Sequence, residues 1–146
     1  MTFSTPVRAA ALAAAVAFFS APLALAETIV TRETERYFYS DGVMTRYDGQ
    51  YEHTYFFDPE KNSLRRTRVY DYQNKLVTPA DTVYYIQRQL NSHPSNAANL
   101  GLKSVIRAIG RPGADTVEIL VIDDDSVDAL TSTGSTLIAS HAERLK

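Results

Sequence analysis

Three groups of side chains in this sequence are spaced for chemistry. The first is aromatic. Seven of the nine tyrosines lie between Tyr37 and Tyr72. On a strand, alternate residues share a face, so Tyr51, His53, Tyr55 and Phe57 would form one row, and Tyr70 and Tyr72 another. A row of rings on an open sheet face stacks sugars, flat ligands or an aliphatic partner surface. The same rings could equally build cross-strand pairs and pack beneath a helix.

The second group is basic. Leu64-Arg65-Arg66-Thr67-Arg68 is the densest cationic run, and the chain holds eleven Arg against four Lys. Strand alternation puts Arg66 and Arg68 on the face of Tyr70 and Tyr72, with Arg65 opposed. Guanidinium forks bind carboxylate or phosphate in pairs, so this face suits an anionic small molecule, a glycan or an acidic envelope protein. Local pairing with Glu33, Glu35 and Glu52 would instead leave a solvated, salt-bridged surface.

The third group is acidic: Asp115, Glu118, Asp123, Asp124, Asp125 and Asp128, with no Lys or Arg among them. Carboxylates at Asp123, Asp124, Asp125 and Asp128 raise a calcium site, because that ion takes six to eight oxygens. The glycine and the distal glutamate of an EF-hand loop are missing, however. The plainer reading is a solvated loop after a buried strand.

His53, His93 and His141 stand far apart in the chain, so a transition-metal site would have to be assembled by folding. No G-x-S-x-G, G-x-G-x-x-G or P-loop occurs. No catalytic residue and no cofactor is therefore implied by motif. An envelope hydrolase would need a spatially assembled site, for which His141 and the 123–128 acids are the candidates. Without cysteine there is no disulfide and no thiol chemistry. A net charge of −2 lacks the basic excess of a nucleic-acid binder.

The segments that must position these groups begin with an address. Arg8, the apolar run Ala9–Phe19, Pro22 and Ala24-Leu25-Ala26 have the three-part pattern of a secretory signal peptide. Cleavage is expected after Ala26 by the Sec route, giving a periplasmic or secreted protein with a single domain over 27–146 and no later membrane span. The helix signals described below leave too few strands for a lipid-embedded barrel.

Thr28–Tyr39, Val43–Tyr47, Tyr51–Phe57 and Leu64–Tyr72 read as four strands of an antiparallel meander. They are separated by Asp41-Gly42, Asp48-Gly49 and Asp58-Pro59-Glu60-Lys61-Asn62. Thr78-Pro79-Ala80-Asp81 then carries helix-start chemistry, and Val83, Ile86 and Leu90 follow at helical spacing, which predicts a helix over 79–92. Leu102, Val105, Ile106 and Ile109 fit a second helix over 96–109, with a β-strand as the competing reading. Thr116–Ile122 reads as a buried strand, and 135–145 fits either element. The expected fold is α+β: a Tyr-rich antiparallel sheet covered by one or two helices. The expected function is non-enzymatic binding at an exposed sheet face formed by Tyr51, Tyr55, Arg66, Arg68, Tyr70 and Tyr72.

Overall fold

The computed structural model describes residues 25–90 and 105–146. The signal-peptide reading of 1–24 and the part of the second expected helix before Val105 lie outside them. Among the described residues every regular element is a strand. They are β1 (Glu27–Ser40), β2 (Val43–Asp48), β3 (Tyr51–Asp58), β4 (Ser63–Asp71), β5 (Leu76–Leu90), β6 (Val105–Gly113), β7 (Thr116–Ile122), β8 (Ser126–Thr133) and β9 (Thr136–Arg144). Sheet order is β2-β1-β3-β4-β5-β6-β7-β8-β9, and β1 also pairs with β9. That pairing closes an eight-stranded antiparallel barrel, with β2 as an overhang.

β2 and β3 form a single arm against β1. Ser40–Glu35 pair with Val43–Asp48, and Arg32–Glu27 pair with Glu52–Phe57, the ladder slipping by one residue at Gly49-Gln50. The hairpin turns at Asp41 and Gly42, both at positive φ (53° and 78°), as a two-residue primed turn demands. Asp48-Gly49 is therefore a bulge between two halves of one arm, not the turn its sequence suggests. Gly49 is required there, since a Cβ would stand 1.9 Å from the carbonyl oxygen of Glu33.

The expected α+β architecture is overturned. Residues 79–90 continue β5, pairing with β4 on one side and β6 on the other. Thr82 and Tyr84 are buried inside the barrel while Val83 and Tyr85 stand outside, an alternation with period two. Val83, Ile86 and Leu90 match helical spacing only by coincidence of position. The capping chemistry at Thr78–Asp81 yields to the ladder with β4, which β6 joins on the other edge from Tyr84 onward, because local propensity is weaker than sheet pairing. Pro79 falls beside the β4–β5 register shift, the kind of irregularity to which a proline within a sheet is confined.

Residues 105–109 likewise belong to a strand. Ile106 and Ala108 point inward and Arg107 outward, and Ile106–Gly110 pair with Ile122–Glu118. Residues 136–144, where helix and strand signals balanced, form the closing strand β9.

The barrel is filled unevenly. Ile29, Phe57, Leu64, Ile106, Ile122 and Val127 pack the end at which β1 begins and β9 finishes. Toward the other end, from which the β1–β2 hairpin projects, the buried side chains include Thr31, Glu33, Arg66, Asp71, Thr82 and Glu118. An eight-stranded barrel is just wide enough for side chains to fill or for one small ligand.

Candidate functional site

A one-residue bulge decides which basic side chains enter the barrel. Thr54 pairs with Arg68 and Tyr55 with Arg66, so Thr67 is an extra residue in β4. A single-residue slip reverses the facing of everything beyond it. Arg66 is thus inside and 7% exposed, whereas Arg68 and Tyr70 face out, the guanidinium 5.1 Å from the ring centroid. Sequence alternation alone had placed them together.

The six residues expected to form one exposed sheet face consequently divide. Tyr55 and Arg66 are buried in the barrel, and Tyr51 is half-buried on the same inward row. Arg68 and Tyr70 lie on the outer wall. Tyr72 sits at the rim, its hydroxyl donating to the Glu33 carbonyl at 3.1 Å, with Arg32 5.4 Å above its ring. The expected continuous platform does not assemble.

What assembles is an interior polar network. Arg66 Nη1 donates to Glu118 Oε1 at 2.9 Å, Tyr84 Oη donates to the same oxygen, and Thr131 Oγ1 donates to Oε2 at 3.0 Å. Both glutamate oxygens are satisfied, which an ionised buried carboxylate requires. Burial, then the negative Glu118, push the phenols of Tyr55 and Tyr84 well above their ordinary range. Burial pulls the Arg66 pKa down, but Glu118 and the two tyrosines outweigh it, so Arg66 is firmly cationic.

His53 lies beside this network with Nδ1 buried and without a protein partner, as is Arg66 Nε. Burial and, secondarily, the charge of Arg66 lower the His53 pKa to about 4, so the ring is neutral at pH 7. A chamber of about 90 Å³ touches His53, Glu118, Thr131 and Ser140. At about 30 Å³ per molecule it has room for roughly three waters.

Arg36 separates this chamber from a larger one at the mouth. Its Nε and Nη2 donate to Glu33 Oε1 at 3.2 and 3.1 Å, and its guanidinium stands 4.4 Å from the Tyr51 centroid. The other Glu33 oxygen accepts from the backbone N–H of Gln50 at 2.9 Å and of Tyr51 at 3.4 Å. The buried carboxylate thereby fills the bulge that joins β2 to β3. Above it, a cavity of about 480 Å³ is lined by Arg36, Phe38, Tyr47, Asp48, Gln50 and Gln73. Phe38 and Tyr47 meet edge to face, with centroids 5.2 Å apart.

No motif or periodicity in the sequence marks Phe38, Tyr47, Asp48, Gln50 or Gln73 as a site residue. Their convergence depends on the hairpin overhanging the β4–β5 turn, and no short-range pattern encodes that.

The acidic run makes two separate structures. Asp123 Oδ1 accepts from the N–H of Asp125 at 2.8 Å and of Ser126 at 2.7 Å, closing the β7–β8 turn. Asp128 faces outward on β8 and lies 2.6 Å from His141 Nδ1 on β9. No group of three His, Cys, Asp or Glu side chains among the described residues is placed to hold a metal, and Asp124, Asp125 and Asp128 do not converge with Asp123. Folding does bring His141 to an acid, but on an open wall. The nearby Ser126 hydroxyl donates to Asp123 at 3.2 Å, so the dyad is not linked to it as a nucleophile.

Comparison of the chain with protein-family models, with curated proteins and with solved structures returns no match.

Proposed function

We propose that this chain is an exported, non-catalytic binding protein whose ligand enters the barrel mouth beneath the β1–β2 hairpin. The observation that carries the reading is the cavity of about 480 Å³. Small-molecule sites are concave, span about 300–1,000 Å³, and combine apolar walls with a few convergent polar groups. Two aromatic rings, a carboxylate and two carboxamides meet that description.

The barrel's polarity supports an aqueous setting. Its lower half is packed with aliphatic side chains, while the outer wall carries ion pairs such as Arg32–Glu52 and Arg65–Asp81. A lipid-embedded barrel would instead turn an apolar band outward. Export rests on the signal-peptide pattern of the first 26 residues, and β1 begins at Glu27, directly after the expected cleavage position.

The test is a thermal-shift screen of envelope glycans and small metabolites on the wild-type protein and on Phe38→Ala/Tyr47→Ala. The binding reading expects compounds that raise the Tm of the wild type and not of the double variant. Compounds that stabilise both equally, or none that stabilises either, would refute it.

A further inference from the structure

The hydrogen-bonding capacity left over at the mouth identifies the ligand's chemistry. Gln50 Nε2 donates to Asp71 Oδ2 at 2.7 Å, and Gln73 Nε2 donates to the Gly49 carbonyl at 3.0 Å. Carboxylate and carbonyl oxygens only accept, so these contacts fix both amide orientations and leave the two Oε1 atoms as the free ends. The Asp48 carboxylate, on a residue whose backbone pairs with Glu35, makes no hydrogen bond or salt bridge among the described residues. The mouth is therefore rich in acceptors.

Its guanidinium is already committed. Arg36 gives two of its N–H groups to Glu33, and the other arginines do not supply a free fork here. Arg66 pairs with Glu118 inside the barrel, Arg32 with Glu52 and Arg46 with Glu35. With Arg36 neutralised by Glu33, the carboxylates of Asp48 and of Asp71 behind Gln50 leave the mouth net negative. An anionic ligand would meet like charge, and a neutral one would leave Asp48 unanswered. Arg36 already stands 5.7 Å from the Phe38 centroid, so Tyr47, 52% exposed, is the ring left to attract a further cation, by about 0.5–1 kcal/mol at a surface site.

We propose that the mouth takes a ligand presenting a protonated amine, held by Asp48 and the two carboxamide oxygens beside the Tyr47 ring. This rests on the mouth being the binding site, and the experiment separates the two claims.

Three probes share one pyranose ring and differ in charge: glucosamine, glucose and glucuronic acid. Each is titrated into the ¹⁵N-labelled protein while backbone amide shifts are followed. Glucosamine is expected to move Asp48, Gln50 and Gln73 saturably, with glucose at least about tenfold weaker and glucuronic acid weakest. Asp48→Asn is expected to weaken glucosamine about tenfold, the effect of losing one charge-assisted hydrogen bond. Equal binding of glucose and glucosamine at those residues, or preference for glucuronic acid, would overturn the amine assignment and leave the mouth as the site. Failure of all three to move any mouth residue would overturn both.

Discussion

A Cβ on Gly110 would lie 2.5 Å from Cδ1 of Tyr84, so the Tyr84 ring occupies the space that Gly110 leaves empty. The two residues are directly paired across β5 and β6. Tyr84 can thereby turn inward and deliver its hydroxyl to Glu118. Tyr55, 6.2 Å away centroid to centroid, packs against the same ring.

Gly110→Ala is accordingly expected to destabilise the barrel by about 1–3 kcal/mol through overpacking. The urea midpoint should fall with little change in slope. Gly110→Ala combined with Tyr84→Leu should cost less than the sum of the single changes, because the clash is gone. Strict additivity would show that the ring does not depend on the glycine.

The Arg66–Glu118 pair should respond asymmetrically to truncation. Glu118→Ala strips the buried guanidinium of its only carboxylate and should cost about 3–5 kcal/mol. Arg66→Met leaves Glu118 with the hydroxyls of Tyr84 and Thr131 and should cost less. Denaturant titration of both variants tests the order, and equal losses would contradict it.

Stability should rise with pH between about 4 and 6.5. The His53 pKa is about 4 in the folded protein against 6.5 for the free side chain, so the unfolded chain binds the extra proton throughout that window. Its contribution is complete above 6.5 and is lost as pH falls, to a limit of about 3 kcal/mol. Chemical denaturation at pH 7 and pH 4.5, with His53→Gln as the reference, measures it. A variant with the same pH slope as wild type would remove His53 as the cause.

Gly49→Ala places a methyl against backbone rather than against a movable side chain. Rearrangement of the β2–β3 bulge is the only relief, and it would pull the Gln50 and Tyr51 N–H groups off Glu33. The expected cost is about 3 kcal/mol or more, since two buried hydrogen bonds and a paired charge are disturbed together. Gly42→Ala, at an open turn with positive φ, should cost about 1–2 kcal/mol from backbone strain alone. A larger loss at Gly42 than at Gly49 would reverse this ranking.

Local chemistry was legible wherever a few adjacent residues decide the outcome. Asp41-Gly42 forms the primed turn its dipeptide specifies. Asp58 accepts from the N–H groups of Glu60 and Lys61, as the Asp-Pro turn implies. Thr116–Ile122 is the buried strand its apolar run suggests. The four strands between Thr28 and Tyr72 lie within two residues of their expected bounds. The helices failed because caps and apolar spacing at 78–90 and 102–109 are signals worth fractions of a kcal/mol to about 1 kcal/mol each. Closing the barrel pairs each of its eight wall strands with a neighbour on both sides.

By itself the sequence determined the absence of thiol chemistry, the turns at Asp41-Gly42 and Asp58–Asn62, and the β-rich first half. Only the tertiary structure decided that Arg66 enters the barrel while Arg68 stays outside, that Asp128 meets His141, and that Phe38, Tyr47, Asp48, Gln50 and Gln73 surround one cavity. The physical reason is the same in each case. Facing along a strand is set by register, register slips by one residue at Thr67 and at Gly49-Gln50, and such slips are resolved by partners many residues away in the chain.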